Sequence, residues 1–155
     1  MSKKISIITP TFNEEKNIEK LCSEISKEMS KLDYDYEHIV IDNHSNDGTI
    51  PILKKIAEKD KKVKVIINSR NFGHIRSPIY GMLQASGDAC ILMNSDFQDP
   101  VDLIPKYIKE WEQGNQIILG QRISSDENFF MNSFKNLFYK FLNRISDVPL
   151  MRNTT

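Results

Sequence analysis

Short apolar runs alternate with segments of helical period along this chain, and each run gives way to a cluster of polar residues. Residues 5–8, 37–41, 63–67, 89–93 and 116–119 read as strands, since each is brief, apolar or β-branched, and bounded by turn-forming residues. Between them, apolar side chains recur at helical spacing over residues 14–32, in the segment carrying Ile52, Leu53, Ile56 and Ala57, and over residues 77–85 and 101–113. Such alternation predicts an α/β fold, a mostly parallel sheet with helices on both faces. In open sheets of this kind ligands sit beyond the carboxyl ends of the strands. The polar clusters are therefore expected to converge on one edge.

The most informative cluster follows the fourth strand, at Asn94-Ser95-Asp96-Phe97-Gln98-Asp99-Pro100. Asp99 and Pro100 suit the N-cap and first position of the next helix. Asp96 has no such structural duty, which makes it the first candidate for chemistry: a carboxylate there can hold a divalent cation, and the cation can neutralise a diphosphate. In the first cluster, Asn13 is placed to cap the following helix, with Glu14 and Glu15 at the positive end of its dipole. Neither G-x-G-x-x-G after the first strand nor G-x-x-x-x-G-K-[ST] occurs, so a dinucleotide dehydrogenase or a P-loop kinase is not indicated.

Composition narrows the partners. The 155 residues carry no formal net charge, and no strongly basic face is implied, which argues against nucleic acid. Cys22 and Cys90 each interrupt an apolar pattern and read as reduced core thiols. No secretory leader and no run of about 20 apolar residues is present, so a cytoplasmic domain is expected. His38, His44 and His74 have no zinc spacing, and His38 reads as strand surface.

Several motifs together carry a resemblance. Ile7-Ile8-Thr9-Pro10-Thr11-Phe12-Asn13-Glu14-Glu15 is similar to the opening of family 2 glycosyltransferases, and Asp42-Asn43-His44-Ser45-Asn46-Asp47-Gly48-Thr49 to that family's D-D-G-S-x-D-G-T. Asn71-Phe72-Gly73-His74 and the segment from Asn94 to Pro100 resemble its N-x-G-H and D-x-D-L-Q-D-P motifs. The nearest branch includes the dolichol-phosphate mannosyltransferases and bacterial polyprenyl-phosphate glycosyltransferases. The resemblance implies a three-layer α/β/α GT-A (Rossmann-like) fold, a nucleotide-diphosphate sugar donor of first choice uridine diphosphate, and Mg²⁺ or Mn²⁺. By position it puts Thr9, Pro10, Thr11, Asn13 and Glu14 around the base and ribose, with Asp42 and Asn43 facing the base and Arg70 and Asn71 closing the pocket. It makes Asp96 and Asn94 the metal ligands, with Ser95 beside them, and sets Gln98 and Asp99 near the transferred sugar or the acceptor. Arg122 falls where the family often has a basic residue near phosphate; a solvated surface arginine is the alternative.

Two positions depart from the pattern. Asn94 replaces the first acid of D-x-D, which removes one negative charge from the metal site. Asn43 replaces the second acid of D-D, and an amide there accepts from a uracil N3–H in only one of its two flip states. The resemblance further implies a lipid-phosphate acceptor at the inner face of the cell membrane. It divides the chain into a nucleotide-sugar-binding domain, residues 1–122, and a helical extension, residues 123–155, that stops short of the acceptor region. In that extension Phe130, Phe134, Leu137, Phe138, Phe141, Leu142 and Ile145 fall at helical spacing, among Lys135, Lys140 and Arg144. Such a helix either packs on the domain or lies at a lipid interface. The rival readings are a nucleotide-sugar-binding module without transfer activity and a nucleotidyltransferase; the latter needs a glycine-rich loop that residues 9–15 lack.

Overall fold

A computed structural model of the chain describes residues 3–120 together with Phe138, Arg144 and Ile145. The chain separates into two compact units, Met1–Asn115 and Gln116–Thr155. The first contains four strands, β1 (Lys4–Thr11), β2 (Asp35–Asp42), β3 (Val63–Ile67) and β4 (Ala89–Leu92), in the order β3-β2-β1-β4 with every pairing parallel. Four α-helices connect or follow them: α1 (Ile18–Met29), α2 (Thr49–Lys59), α3 (Gly73–Leu83) and α4 (Ile104–Glu112), the last entered through a 3-10 turn at Val101–Leu103. This is the expected α/β architecture. The expected fifth strand is not formed: residues 116–120 belong to no strand, and Ile117 and Leu119 are exposed, whereas a strand of a parallel sheet is covered on both faces. Among the described residues no helix is long and apolar enough to cross a membrane.

The period-2 alternation of β1 divides the core. Ile5 and Ile7 pack with Ile91 and Met93 against Leu21, Ile25 and Met29 of α1 and Ile104 and Ile108 of α4. Val40 and Val63 continue that layer with Ile18, Cys22 and Leu53. Ile8, Ile39 and Ile41 form the opposite face, where α3 lies. Burying each such side chain contributes about 1.5–3 kcal/mol. α3 approaches closely because it turns Ser77, Pro78 and Gly81 inward. A β-carbon at Gly81 would sit 2.0 Å from Ile41 Cδ1 and 2.8 Å from Ile8 Cγ2. Its outer side keeps Ile75, Ile79 and Leu83 exposed.

Some boundaries differ from expectation. α3 begins four residues before position 77, because the Asn71 side chain accepts from the Gly73 amide at 2.7 Å and starts the turn earlier. Cys22 is a buried thiol as expected, and burial pushes its pKa up to about 12. Cys90 is exposed, since β4 is an edge strand and Cys90 lies level with Ser6 on the α3 side, where little covers it.

At the amino ends of the strands, Glu37 is 2% exposed yet ionised. Its Oε1 accepts from Ser6 Oγ at 2.7 Å and from the amide and hydroxyl of Ser86 at 2.7 and 2.8 Å. Lys64 hydrogen-bonds Oε2, and Lys4 Nζ lies 3.3 Å from it. Burial alone would push this carboxyl up; the bonds from Lys64, Ser6 and Ser86 outweigh it and hold the pKa well below the usual range. Because the folded pKa is depressed, the contribution is present above the unfolded carboxyl's pKa of about 4.3 and is lost as pH falls below it. Glu37→Gln is therefore expected to cost about 1–3 kcal/mol in urea unfolding at pH 7 and less at pH 3, the gap narrowing as pH falls towards the depressed folded pKa. An equal loss at both pH values would show that the carboxylate charge is not the source.

Candidate functional site

The sheet reverses its strand order at β1: β2 and β3 extend on one side, and β4 returns on the other. A crevice at the carboxyl ends of β1 and β4 is the ligand position that such a reversal creates. Pro10, beyond the expected end of the first strand at residue 8, instead lies within it, level with Ile41. The carbonyls of Lys4 and Ile8 accept from Asp88 and Met93, so the even residues of β1 turn their backbone groups towards β4. Pro10 shares that parity, and β4 no longer pairs at its level. A missing N–H therefore costs nothing there. Its carbonyl accepts from Ser95 Oγ at 3.1 Å, which ties the β4 loop to β1.

The first two loops are bonded to each other. Asn13 does not cap α1, which starts at Ile18; its φ is 56°, and that left-handed turn sends its side chain across to the second loop. Asn13 Oδ1 accepts from the Asn46 amide at 3.0 Å, and the Asn13 amide donates to Ser45 Oγ at 2.9 Å. The Glu14 amide donates to Thr49 Oγ1 at 2.8 Å, and Glu14 Oε2 accepts from Asn17 Nδ2 at 2.7 Å. Glu15 and Asp47 complete the seam through the amides of Gly48 and Glu15. Asp42, fully buried, accepts from both the amide and the hydroxyl of Ser45.

Behind the first strand, His38 is buried rather than on the strand surface: it lies level with Ile7, on the α1 side of the sheet. Its Nε2 is 2.9 Å from Thr9 Oγ1, and burial pushes its pKa down to about 4, so the ring is neutral at pH 7. Thr9, also fully buried, thus spends its hydroxyl on His38. Thr11 Oγ1 is buried with no hydrogen-bond partner among the described residues.

The third loop is held by Asn43, whose Oδ1 accepts from Asn68 Nδ2 at 3.0 Å and from the Phe72 amide at 3.3 Å. Arg70 is exposed, its guanidinium 4.9 Å from the Phe72 ring. Phe12, 44% exposed between Thr11 and Asn13, is a large aromatic surface at this edge that the motif reading passed over. The signal was an aromatic standing alone in a polar cluster.

In the fourth loop Asp99 does not cap the following helix. Pro100 occupies the cap position with extended backbone, and Asp99, buried, instead accepts from Asn94 Nδ2 at 3.0 Å. With Nδ2 so engaged, Asn94 turns Oδ1 away from Asp99. Asp96 is exposed; its Oδ1 accepts from the Gln98 amide at 3.0 Å, and its Oδ2 has no partner among the described residues. The φ of 58° at Phe97 makes this turn. Among the described residues no group of three acids, histidines or cysteines could enclose a metal. One carboxylate and one amide oxygen nevertheless fit a hard cation that takes its remaining ligands from water and substrate phosphates. Arg122 lies outside the described residues.

Comparison with known proteins shows the family and the fold. The family model for glycosyl transferase family 2 matches residues 6–153. An uncharacterized glycosyltransferase of Bacillus subtilis, YkcC, is 32% identical over 96% of the chain and 46% of its own length. The bactoprenol glucosyl transferase of Shigella phage SfV is 32% identical over 97% of the chain and 49% of its own length. The chain thus spans about half the length of the curated relatives it matches. Among solved structures, Staphylococcus aureus TarS (residues 1–349) in complex with UDP-GlcNAc superposes with a TM-score of 0.51 at 28% identity, over 68% of this chain and 32% of TarS. Glucosyl-3-phosphoglycerate synthase of Mycobacterium tuberculosis, in complex with Mn²⁺, UDP-glucose and phosphoglyceric acid, shares the fold with a TM-score of 0.63 at 20% identity, over 98% of this chain and 55% of its own.

The Asn94–Asp99 bond yields a prediction. Asn94→Asp would set two carboxylates about 3 Å apart, raising the apparent pKa of the pair. A raised folded-state pKa contributes stability below the unfolded value and loses it as pH rises. The variant is therefore expected to be less stable than wild type by about 1–3 kcal/mol at pH 7, to approach it near pH 4, and to gain more from Mn²⁺ in thermal unfolding. A deficit independent of pH and of Mn²⁺ would contradict the pairing.

Proposed function

The chain belongs to glycosyl transferase family 2, and on that premise we propose that it binds a nucleoside-diphosphate sugar, of first choice UDP-linked, in the β1/β4 crevice and serves transfer to a polyprenyl phosphate. The observation that carries this reading is Asp96, exposed at the carboxyl edge with one oxygen anchored by the Gln98 amide and the other turned to no partner among the described residues. In this reading Pro10, Thr11, Phe12, Arg70 and Asn71 flank the nucleoside, with Thr9, Asn13, Glu14, Asp42 and Asn43 holding the pocket walls. Asn94, Ser95 and Asp96 lie at the diphosphate, Gln98 and Asp99 near the sugar and acceptor, and Arg122 supplies positive charge towards phosphate.

Asp96 Oδ2 and Asn94 Oδ1 would hold Mg²⁺ or Mn²⁺, which when bound supplies positive charge to the leaving diphosphate. An oxygen of the acceptor forms a bond to the anomeric carbon as the bond from that carbon to the diphosphate breaks. An ionised phosphate acceptor brings its own negative oxygen, so no side chain of this domain has to remove a proton. The walls align the reacting groups; their loops are bonded to one another before any ligand arrives. Relatives described as bactoprenol glucosyl transferases support a lipid acceptor, which this reading sets at the cytoplasmic membrane face. A donor-binding module without transfer is the second reading, favoured by the neutral Asn94 where the resemblance has an acid.

Calorimetry of the 155-residue chain with UDP, with and without Mn²⁺, tests the site. Mn²⁺ is expected to tighten binding at least tenfold, and Asp96→Ala to abolish the gain. Affinity unchanged in Asp96→Ala would remove Asp96 from the site, and Mn²⁺-independent binding by wild type would favour the module without transfer.

A further inference from the structure

Asn43 is 5% exposed, at the end of β2, and its carboxamide meets two backbone groups of opposite sense. Oδ1 accepts from the Phe72 amide at 3.3 Å, and Nδ2 donates to the Gly73 carbonyl at 3.3 Å. A backbone N–H needs an acceptor and a carbonyl needs a donor, so these two partners dictate which end of the amide is oxygen. Oδ1 takes a second bond from Asn68 Nδ2 at 3.0 Å, and Asn68 passes its other hydrogen to Ser77 Oγ at 3.1 Å. Phe72, the residue before α3, makes no side-chain cap of its own, and Asn43 holds its amide from another strand while Asn71 holds the Gly73 amide. The chain around Asn43 is itself anchored: the Asn43 amide donates to the Thr11 carbonyl at 2.8 Å, and the Asn68 amide to the Asp42 carbonyl at 2.9 Å.

We propose that Asn43 is a positioning residue that fixes the 68–73 loop, and with it Arg70 and Asn71, over the nucleotide pocket, and that it does not itself read the base. This deepens the donor-binding reading above and rests on it. With two donors already on Oδ1, no lone pair is left for a uracil N3–H, and the flip that would present the other end breaks both backbone contacts. A carboxylate at position 43 could still accept from Phe72 and Asn68, but it would face the Gly73 carbonyl with no hydrogen between them. The asparagine is thus the residue this loop demands, and the selectivity of the pocket passes to the groups the loop carries.

Asn43→Asp separates the two roles, because they predict opposite signs. If Asn43 positions the loop, the carboxyl introduced in its place needs a proton to donate to Gly73, so the pKa of that carboxyl rises. Wild type provides the baseline for the other ionisable groups on these segments, Asp42, His44, Arg70 and His74. Relative to that baseline, the variant should unfold at lower temperature at pH 7.5 and recover near pH 5. Amide hydrogen exchange over residues 68–74 should quicken at pH 7.5, and UDP affinity should fall about tenfold there and return in acid, the scale of one lost buried hydrogen bond. Asn43→Ala should show the same loss without the acid recovery. If Asn43 reads the base, the carboxylate accepts N3–H better than the amide: UDP then binds more tightly to the variant at pH 7.5 with stability unchanged, and the proposal is overturned. The stability and exchange measurements need no nucleotide. Wild type that fails to bind UDP would count against the donor-binding reading, while the pH-dependent loss in Asn43→Asp would still support the loop assignment, and its absence would overturn it.

Discussion

Everything at the carboxyl edge depends on how β1 is bonded. The strand pairs with β2 over its whole length but with β4 only from Ile5 to Ile8. Two residues later Pro10 has no N–H to offer on the β4 side, so the ladder cannot extend there. The backbone of β4 can leave the sheet at that level without abandoning a donor, and Ser95 then bonds back to the one acceptor Pro10 retains. The ligand position expected at a reversal of strand order lies at this level, between two strands whose paths are fixed up to it. A residue with a free N–H at position 10 would have to be paired or solvated at the same place.

At this edge the side chains of each loop bind the backbone amides of the other. Asn13, Ser45, Asn46, Asp47 and Thr49 spend their polar atoms on the seam between the first two loops, and Asp42 is consumed by Ser45. Each such bond adds only about 1 kcal/mol net. Their larger effect is to order the loops before a ligand arrives, so that binding does not meet the cost of ordering them. Polar motifs at a strand end thus divide into groups that build the wall and groups that face the ligand. Asp96, Arg70 and Phe12 are exposed, and in the proposed donor-binding reading they are of the second kind; Thr9, Asp42 and Asn43 are buried and bonded to protein groups.

That division was not legible in the sequence. Motif spacing gathers Thr9 and Asp42 into the pocket as readily as Asp96, because it registers position along the chain and not the direction of an oxygen. The same blindness explains His38, read as strand surface although it lies beneath Thr9, and Cys90, read as core although it sits on an edge strand. The caps failed for a related reason. Asn13 and Asp99 are good capping residues, but each bonds elsewhere, Asn13 across to Asn46 in the second loop and Asp99 within its own loop to Asn94. Local preference is a weak prior once a tertiary contact competes for the same atom.

The sequence by itself determined the architecture: alternating apolar and helical periods leave no other way to cover both faces of a parallel sheet, and the four motifs carry the family with them. It also singled out Asp96, since no capping role was open to it. Only the tertiary structure decided the order of the strands and the point of reversal between β1 and β4. It alone decided that residues 116–119 form no strand, and that Asn43 grips the start of α3. Those outcomes depend on which groups meet across 29 to 85 residues of chain. A hydrogen bond over that separation has no period and no spacing to betray it.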